Sequence, residues 1–281
     1  AIGFATFGGV AVVSANDLLT LFLGLELATI PMYALVAWNK RDSEGTEAAI
    51  KYILMGSVAT AFELFGFSYL YGFAGHLTFP EITSALQTNQ ASPLVWISIL
   101  FIISGIGFKM TLFPFHLWAP DVYEGAPTPV TAILSVTSKS IAIAFLTVLV
   151  FGPLNAIHKE IVPFLALLAG ITLLAGNLGA LSQSKLRRFM AFSSISQAGY
   201  ILIALLGNSP EGKYAIIYYL FLYTFSNYLA FFIFSTISKN QSETFISLNG
   251  LSEKSKFLAI ALLIALMSLA GIPPLAGFFG K

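Results

Sequence analysis

Residues 93–118 read PLVWISILFIISGIGFKMTLFPFHLW, an apolar run with one charged residue, Lys109, and a proline, Pro114, in its later half. The run exceeds the roughly 20 residues that a helix needs to cross a bilayer. A charged side chain at bilayer depth costs about 2.5 to 3.5 kcal/mol, so Lys109 indicates a functional group rather than a packing residue. Pro114 removes a backbone donor and should break the helix close to that charge.

The composition of the whole chain predicts an all-α membrane protein. Hydrophobic residues make up 57% of the 281 positions and charged residues only 10%, against roughly 25% charged residues in soluble domains. The 14 basic and 13 acidic residues nearly cancel, which leaves no basic surface for nucleic acid. The chain has no cysteine, so disulfides and thiolate-held iron–sulfur clusters are excluded, and its three histidines are too scattered to predict a haem site.

Apolar runs follow one another along the sequence, and eight of them are long enough to span a bilayer. The runs are residues 1–14, 17–38, 48–74, 93–118, 128–151, 161–181, 189–207, 214–238 and 257–281. Backbone groups must be satisfied within the bilayer, so the predicted fold is a polytopic transmembrane helix bundle. The first run is short and starts at Ala1 rather than at a methionine, so we expect the chain to be a fragment of a longer protein.

Basic residues in the connecting loops predict how the bundle is oriented. With loops assigned alternately to the two sides, one side carries most of them, namely Lys40, Arg41, Lys185, Arg187, Arg188, Lys239, Lys254 and Lys256. The other side has only Lys159 and Lys213. The positive-inside rule assigns the first side to the cytoplasm, or to the matrix or stroma of an organelle.

Two spans are interrupted by prolines in a similar way. One interruption follows Lys109 at Pro114, and the other lies in residues 271–281, GIPPLAGFFGK, which end on Lys281. Paired interruptions in two halves of a chain indicate a transporter built from repeats, with its ion path near the midplane. The alternative is that these residues are ordinary, because membrane helices often contain proline and glycine.

Four charged residues are the candidates for ion transfer: Glu26, Lys109, Lys139 and Lys281. Lys109 and Lys139 lie too deep in their spans to reach an interface easily, so each needs an interior partner or a water chain. Glu26 is the available counter-ion for Lys109. At an assumed separation of about 6 Å, the two charges would attract by roughly 2.8 kcal/mol at an effective dielectric of about 20.

Three further ionisable residues each allow two interpretations. Lys51 could relay protons, or it could anchor a helix end beside Glu47, four residues earlier. His116 could relay protons because its ordinary pKa of about 6.5 lies near physiological pH, or it could pack beside the helix break. Glu63 could have a functional role, or it could pair with Lys51 or with a neighbouring helix to hold the bundle together.

Four segments carry a resemblance to a known family: LGLEL at 23–27, FKMTLFPFHLWAPD at 108–121, FSSISQAGY at 192–200 and GIPP at 271–274. They resemble the antiporter-like subunits of proton-pumping NADH:quinone oxidoreductase, respiratory complex I. The segment YEGAPTPVTA at 123–132 resembles the subunit N (subunit 2) branch more than subunits L and M or the multisubunit sodium/proton antiporters.

The resemblance implies an antiporter-like fold with two inverted five-helix repeats and discontinuous helices. Residues 1–151 would run from the end of helix 4 to helix 8, as a first repeat truncated at its start. Residues 152–281 would comprise helices 9 to 12, as a second repeat truncated at its end.

The same resemblance implies roles for individual residues. Glu26 is similar to the glutamate of helix 5, and Lys109, Lys139 and Lys281 to the ionisable residues of helices 7, 8 and 12. Lys51 and His116 also match positions of the family. Glu63 departs from the pattern, which has an apolar residue there, so the resemblance implies no role for it.

As a function, the resemblance implies proton translocation driven by quinone reduction elsewhere in a complex. This chain would hold no redox centre, and NADH, FMN, iron–sulfur clusters and quinone would belong to partner subunits. Those partners would be a neighbouring antiporter-like subunit and small core subunits in a bacterial inner membrane, or in an organelle inner or thylakoid membrane. The competing hypotheses are a multisubunit sodium/proton antiporter or related hydrogenase membrane arm, and a passive scaffold in which the charges merely pair.

Overall fold

The computed structural model describes residues 1–39, 42–88, 92–207, 209–237 and 243–281, and these residues form a helical bundle. The α-helices are α1 Ile2–Ser14, α2 Leu18–Val36, α3 Ser43–Ala74, α4 Phe79–Thr88, α5 Pro93–Met110, α6 Trp118–Gly125, α7 Thr128–Ile133, α8 Lys139–Phe151, α9 His158–Leu181, α10 Leu186–Leu206, α11 Pro210–Ile237, α12 Leu251–Lys254, α13 Lys256–Ala270 and α14 Ala276–Gly280. A π-helical turn, Leu134–Ser138, joins α7 to α8, and 3-10 turns occupy Pro153–Ile157 and Phe245–Leu248.

Seven helical stretches among the described residues are long and apolar enough to cross a membrane, so the predicted membrane helix bundle is confirmed. They are Leu18–Val36, Ser43–Ala74, Pro93–Met110, Thr128–Phe151, Pro153–Leu181, Leu186–Leu206 and Pro210–Ile237. The sequence predicted an eighth span at residues 257–281. In the structure Gly271 ends α13 after 15 residues, because the run is interrupted there.

The charged loops are described in part. Lys40, Arg41 and Lys239 lie outside the described residues. A backbone bridge pairs Lys185 with Thr244, so the loop before α10 and the segment after α11 meet at one end of the bundle. The orientation of this end relative to the cytoplasm stays a prediction.

Helices α3 and α5 pack closely because small residues face each other across their interface. Buried residues follow one another on α3 at alternating spacings of about three and four, which is one face of a helix. This series is Gly45, Ala49, Tyr52, Gly56, Ala59, Glu63, Gly66 and Leu70, and Ala48 and Phe67 are buried beside it. A Cβ atom at Gly66 would lie 2.7 Å from the backbone nitrogen of Ile102, and one at Gly105 would lie 2.7 Å from the carbonyl oxygen of Ala59. Small residues thus allow the two backbones to approach, as in many membrane helix pairs.

The outer surface of the bundle is apolar. Phe7 on α1, Trp38 after α2 and Leu181 at the end of α9 are 73%, 75% and 84% exposed. Exposure of many large apolar side chains is unfavourable in water but favourable in lipid. The exposed surface therefore fits a bilayer.

The two proline-interrupted helices end with the same local geometry. Helix α5 is capped by Thr111 at a φ of 61°, and the N–H of Leu112 donates to the carbonyl of Gly107 at 2.7 Å. Helix α13 is capped by Gly271 at a φ of 76°, and the next N–H donates to the carbonyl of Met267 at 3.0 Å. Both ends therefore turn through a left-handed residue that satisfies the last carbonyls of the helix.

The break after α5 is closed by groups from elsewhere in the bundle. The indole nitrogen of Trp118 donates to the carbonyl oxygen of Phe108 at 2.9 Å, and the N–H of Phe113 donates to the hydroxyl of Thr172 on α9 at 3.1 Å. The ring of Trp118 also stacks on Tyr52, with centroids 4.6 Å apart. Irregular backbone at membrane depth is stable only with such internal partners.

Candidate functional site

Lys109 lies between two carboxylates near the end of α5. Its ammonium is 2.5 Å from an oxygen of Glu26 on α2 and 3.2 Å from an oxygen of Glu63 on α3. The hydroxyl of Thr60 donates to the same oxygen of Glu26 at 3.0 Å. Lys109 and Glu63 are almost completely buried, and the side chain of Glu26 is 14% exposed. The structure thus brings Glu26 and Lys109 together, as the sequence predicted.

Lys139 is buried directly after the π-helical turn that joins α7 to α8. Its ammonium donates to the hydroxyl of Thr111 at 2.8 Å and to the carbonyl and hydroxyl oxygens of Ser194 at 2.6 and 2.9 Å. Thr111 is the residue that caps the broken helix two positions after Lys109. Among the described residues, no carboxylate lies within ion-pair distance of Lys139.

Lys281 lies beside the second helix break. Its ammonium donates to the carbonyl oxygen of Leu269 at 2.6 Å and lies 4.3 Å from the centre of the Tyr200 ring. The carbonyl of Leu269 is close to the end of α13 and also accepts from the side-chain amide of Gln197 at 3.0 Å. A shared acceptor therefore links Lys281 to α10.

Polar side chains of α10 and α11 fill the space between Lys139 and Lys281. The hydroxyl of Tyr219 bonds to the amide oxygen of Gln197, one helical turn after Ser194 on α10. A cavity of about 10 Å³ lies next to them, lined by Gln197, Tyr219, Leu222, Tyr223, Ser226, Ser268, Leu269 and Gly277. A site of this size has room for about one water molecule. Gln197 lies within the segment 192–200 quoted above, but no sequence feature indicated Tyr219 as its partner.

Lys51 lies at the edge of the bundle, unlike the buried residues Lys109 and Lys139. Its ammonium is 2.8 Å from Glu47 and 3.1 Å from Asp121, and 42% of its side chain is exposed. Asp121 is also 2.8 Å from Arg188, which reaches Glu124 at 2.9 Å. Lys51 thus belongs to an ion-pair network that connects α3, α6 and α10.

This network should make stability depend on acidic pH. Burial raises the pKa of Asp121, but hydrogen bonds from Arg188 and Lys51 outweigh it, so the pKa lies below its ordinary value. The stabilisation is therefore complete above the unfolded pKa of about 3.9 and is lost as the pH falls through the folded pKa. We expect Asp121→Asn to lower stability at neutral pH by about 1 kcal/mol or less, because the partners are half exposed.

Thermal unfolding of the detergent-solubilised full-length parent protein at several pH values would measure this effect. The difference in melting temperature between wild type and Asp121→Asn should shrink toward acidic pH. Glu253→Gln, at an exposed carboxylate, is the matched control. A difference that grows as the pH falls would contradict the assignment.

His116 is buried but lies apart from the lysine contacts. Its ring stacks on Phe113 with centroids 5.7 Å apart, and its Nδ1 has no hydrogen-bond partner among the described residues. No hydrogen bond in the described part of the chain joins it to Lys109 or Lys139.

The sequence alone allowed two interpretations of Glu63. The structure pairs it with Lys109, not with Lys51. Its place on the mostly small face of α3, between Ala59 and Gly66, is the sequence signal that could have assigned it to the interior.

The fold and these contacts define the class: a polytopic helical membrane protein whose discontinuous helices carry buried charged side chains. A model of the family described as NADH:quinone oxidoreductase/Mrp antiporter, transmembrane, matches residues 15–281. The chain belongs to that family.

Curated relatives agree with this assignment. The chain is 44% identical over 278 residues to NADH-quinone oxidoreductase subunit N of Moorella thermoacetica, covering 99% of this chain and 58% of that protein. It is 41% identical over 281 residues to subunit N of Heliobacterium modesticaldum, covering 99% of this chain and 59% of the relative. The chain therefore spans somewhat more than half the length of the curated relatives that it matches.

Solved structures share the fold. Respiratory complex I from Thermus thermophilus contains a chain with a TM-score of 0.84 and 38% identity, matched over 99% of this chain and 60% of that one. The Mrp complex from Dietzia sp. contains a chain with a TM-score of 0.88 and 26% identity, matched over 99% of this chain and 52% of that one. An archaeal membrane-bound sulfane sulfur reductase contains a chain with a TM-score of 0.85 and 26% identity, matched over 99% of this chain and 57% of that one.

Proposed function

We propose that this chain is a proton-translocating membrane subunit of NADH:quinone oxidoreductase, in which Glu26, Lys109, Lys139 and Lys281 carry the proton transfer. The observation that carries the proposal is the buried contact of Lys109 with Glu26 at 2.5 Å, next to a helix break that Lys139 also contacts. Intramembrane ionisable residues are kept at such cost mainly for ion pathways. The named relatives at 38% to 44% identity support the same function.

The proposal includes the assembly in which the chain works. Residues 1–151 and 152–281 are the two truncated repeats, and the equal geometry at Thr111 and Gly271 supports their correspondence. NADH, FMN, iron–sulfur clusters and quinone belong to partner subunits. The partners are a neighbouring antiporter-like subunit and small core subunits of a bacterial inner membrane.

Energetics link the ion pair to proton movement. At the 2.5 Å separation of Lys109 and Glu26, opposite charges attract by about 6 to 7 kcal/mol at an effective dielectric of about 20. Desolvation of the two ions offsets part of this attraction. Moving one proton against about 200 mV costs roughly 4.6 kcal/mol. Because desolvation removes much of the attraction, this pair alone does not supply the free energy of one transferred proton, and several coupled charge changes are needed.

Hydrogen bonds indicate the order of proton transfer along the row formed by Glu26, Lys109, Lys139 and Lys281. Lys139 contacts Thr111, which follows Lys109 by two residues at the helix break, so a change at the ion pair alters the field at Lys139. Ser194 contacts Lys139, and Gln197, one turn later on α10, shares the carbonyl of Leu269 with Lys281, so a water molecule between these groups would complete the path. Lys51 and His116 stay candidate relays, although neither hydrogen-bonds to Glu26, Lys109, Lys139 or Lys281 among the described residues.

Tyr219 bonds to Gln197, whose amide reaches the same carbonyl acceptor as Lys281, and this bridge gives a specific expectation. Tyr219→Phe removes the hydroxyl that contacts Gln197 but keeps the buried ring. We expect stability to fall by only about 1 kcal/mol, since one hydrogen bond is lost. Proton uptake through the full-length parent protein should slow markedly.

Donor-driven proton uptake in membrane vesicles would measure this effect. Tyr214→Phe, at an exposed tyrosine of the same helix, is the matched control and should leave uptake unchanged. Wild-type uptake in an assembled Tyr219→Phe variant would exclude this bridge from the path.

The test of the proposed function is proton uptake into inverted vesicles driven by NADH, with and without sodium. The full-length parent is compared with Lys109→Ala and Lys139→Ala variants, and with Lys159→Ala at the exposed start of α9 as control. The proposal expects uptake to be lost in both buried variants, with the complex still present in the membrane, and to be unaffected by sodium. Intact NADH-driven uptake in both would overturn it.

A second candidate is a subunit of a multisubunit cation/proton antiporter. The specific observation is the TM-score of 0.88 with the Mrp complex chain, so the fold alone does not separate the two functions. Sodium/proton exchange without NADH, lost in Lys109→Ala, would favour the antiporter.

A further inference from the structure

Lys109 has two carboxylate partners, and Glu63 has no part in the mechanism above. We propose that Glu63 is a proton-binding residue of the centre that it forms with Glu26 and Lys109. Lys109 stays charged and alternates between the two glutamates, and whichever glutamate is not paired with it carries a proton. This deepens the proposed function and rests on it: Lys109 takes part in the transfer through its positive charge, and its alternation is the step that moves a proton.

The two glutamates differ in their surroundings. One oxygen of Glu26 accepts hydrogen bonds from Lys109 and from Thr60, and its side chain is partly exposed. Glu63 is fully buried, accepts only from Lys109, and its second oxygen has no partner among the described residues. Hydrogen-bond donors and solvent stabilise a carboxylate, so Glu26 is the better ionised partner in the observed arrangement.

A count of charges requires a proton at the centre. With all three groups ionised, two carboxylates and one ammonium leave a net charge of −1. The groups that face Glu63 are Lys109 of α5 and Glu26 and Tyr33 of α2, and none of these supplies a second cation. Among the described residues the other buried lysine is Lys139, which donates to hydroxyl and carbonyl oxygens instead. Because a net charge is costly to bury, a proton on Glu63 gives the stable neutral state.

Helix packing holds Glu63 in place. A Cβ atom at Gly105 would come within 2.7 Å of the Cβ of Glu63, so the backbone of α5 lies directly against this residue. The Cβ of Glu63 is therefore held against the backbone of α5, the helix that carries Lys109. A side chain anchored in this way opposite a long flexible lysine suits an exchange in which the lysine end moves.

The exchange balances in protons and in charge. In the first state Glu26 is ionised, Lys109 is charged and Glu63 is protonated, so the net charge is zero. When Lys109 moves to Glu63, the carboxyl of Glu63 releases its proton to water and Glu26 binds one from the more exposed side. The net charge remains zero in the second state. One proton has entered at Glu26 and one has left at Glu63, while Lys109 has kept its own.

Infrared spectroscopy of the full-length parent protein in its assembled complex tests this inference without using pumping as the readout. A protonated carboxyl group has a carbonyl band that shifts in heavy water and that a carboxylate lacks. We expect the variant-minus-wild-type spectrum of Glu63→Gln to show loss of such a band. Glutamine matches the neutral form in shape, so the variant should fold.

Glu26→Gln is the decisive second variant. Lys109 then has a single carboxylate, so Glu63 must ionise and its carbonyl band should disappear although Glu63 is still present. Glu160→Gln, at an exposed site, should leave the band unchanged. Survival of the band in Glu26→Gln, or no loss in Glu63→Gln, would overturn the inference. These spectra report protonation alone, so they are independent of whether Lys109→Ala abolishes proton uptake.

Discussion

Replacing Lys109 with alanine in the full-length parent protein should reduce donor-driven proton uptake to a small fraction of wild type and destabilise the subunit. The substitution leaves Glu26 and Glu63 facing each other without the ammonium that contacts both. Breaking a buried ion pair by removing one partner typically costs about 3 to 5 kcal/mol, because the remaining charge stays buried. Loss of uptake in this variant therefore has a structural and a chemical component.

Lys109→Arg separates the two components. Arginine keeps a positive charge between the glutamates but cannot be deprotonated in a protein. If the lysine itself must release a proton, uptake should be lost in this variant although assembly is retained. If Lys109 stays charged and alternates between Glu26 and Glu63, part of the uptake should persist. Proton uptake per NADH oxidised, normalised to assembled complex on native gels, distinguishes these results, and wild-type uptake in assembled Lys109→Ala would contradict both.

Lys139→Met should abolish proton uptake with little loss of stability. Lys139 contacts the hydroxyl of Thr111 and two oxygens of Ser194, but no carboxylate among the described residues, so its removal leaves no unpaired charge. Methionine has a similar length, and removing a buried ion that has no counter-ion also removes the free-energy cost of its desolvation. The acceptors left without a donor cost about 1 to 3 kcal/mol and offset that gain.

The matched control for this variant is Lys159→Met, the same substitution at an exposed position of α9. Thermal unfolding and the proton-to-electron ratio should be measured on the same preparations. A wild-type ratio in assembled Lys139→Met would remove Lys139 from the path. A large loss of stability would mean instead that its hydrogen bonds hold α8 to α10.

The contrast between the two variants tests the passive scaffold hypothesis. If the charges only held helices together, loss of uptake would follow loss of assembly at both positions. Neutralising Glu26 and Lys109 together would then be tolerated. We expect the opposite, since Lys139 contributes little net stabilisation but lies in the proposed path.

The broken helices could be predicted from sequence because their causes are local. Pro114 and Pro274 remove backbone donors, and Gly271 readily adopts a positive φ. The left-handed conformation of Thr111 could not be predicted, because a β-branched residue rarely adopts it. It is held there by the backbone bonds of the cap and by its hydroxyl contact with Lys139.

The link to Lys281 could not be predicted from sequence for another reason. Gln197 and Tyr219 are ordinary polar residues in long apolar helices, and neither carries a charge that stands out against the composition. Their contact joins α10 to α11 across the core. Only the packing of helices brings such residues into register.

The sequence alone determined the class of protein, the helical fold, the positions of the helix breaks and the candidates Glu26, Lys109, Lys139 and Lys281. These follow from composition and from backbone chemistry within a few residues, which a bilayer constrains strongly. The tertiary structure decided which groups meet. Lys109 contacts glutamates 83 and 46 positions earlier, and Lys139 contacts a serine 55 positions later. Contacts at such separations depend on how α2, α3, α5, α8 and α10 pack, which local sequence patterns do not specify.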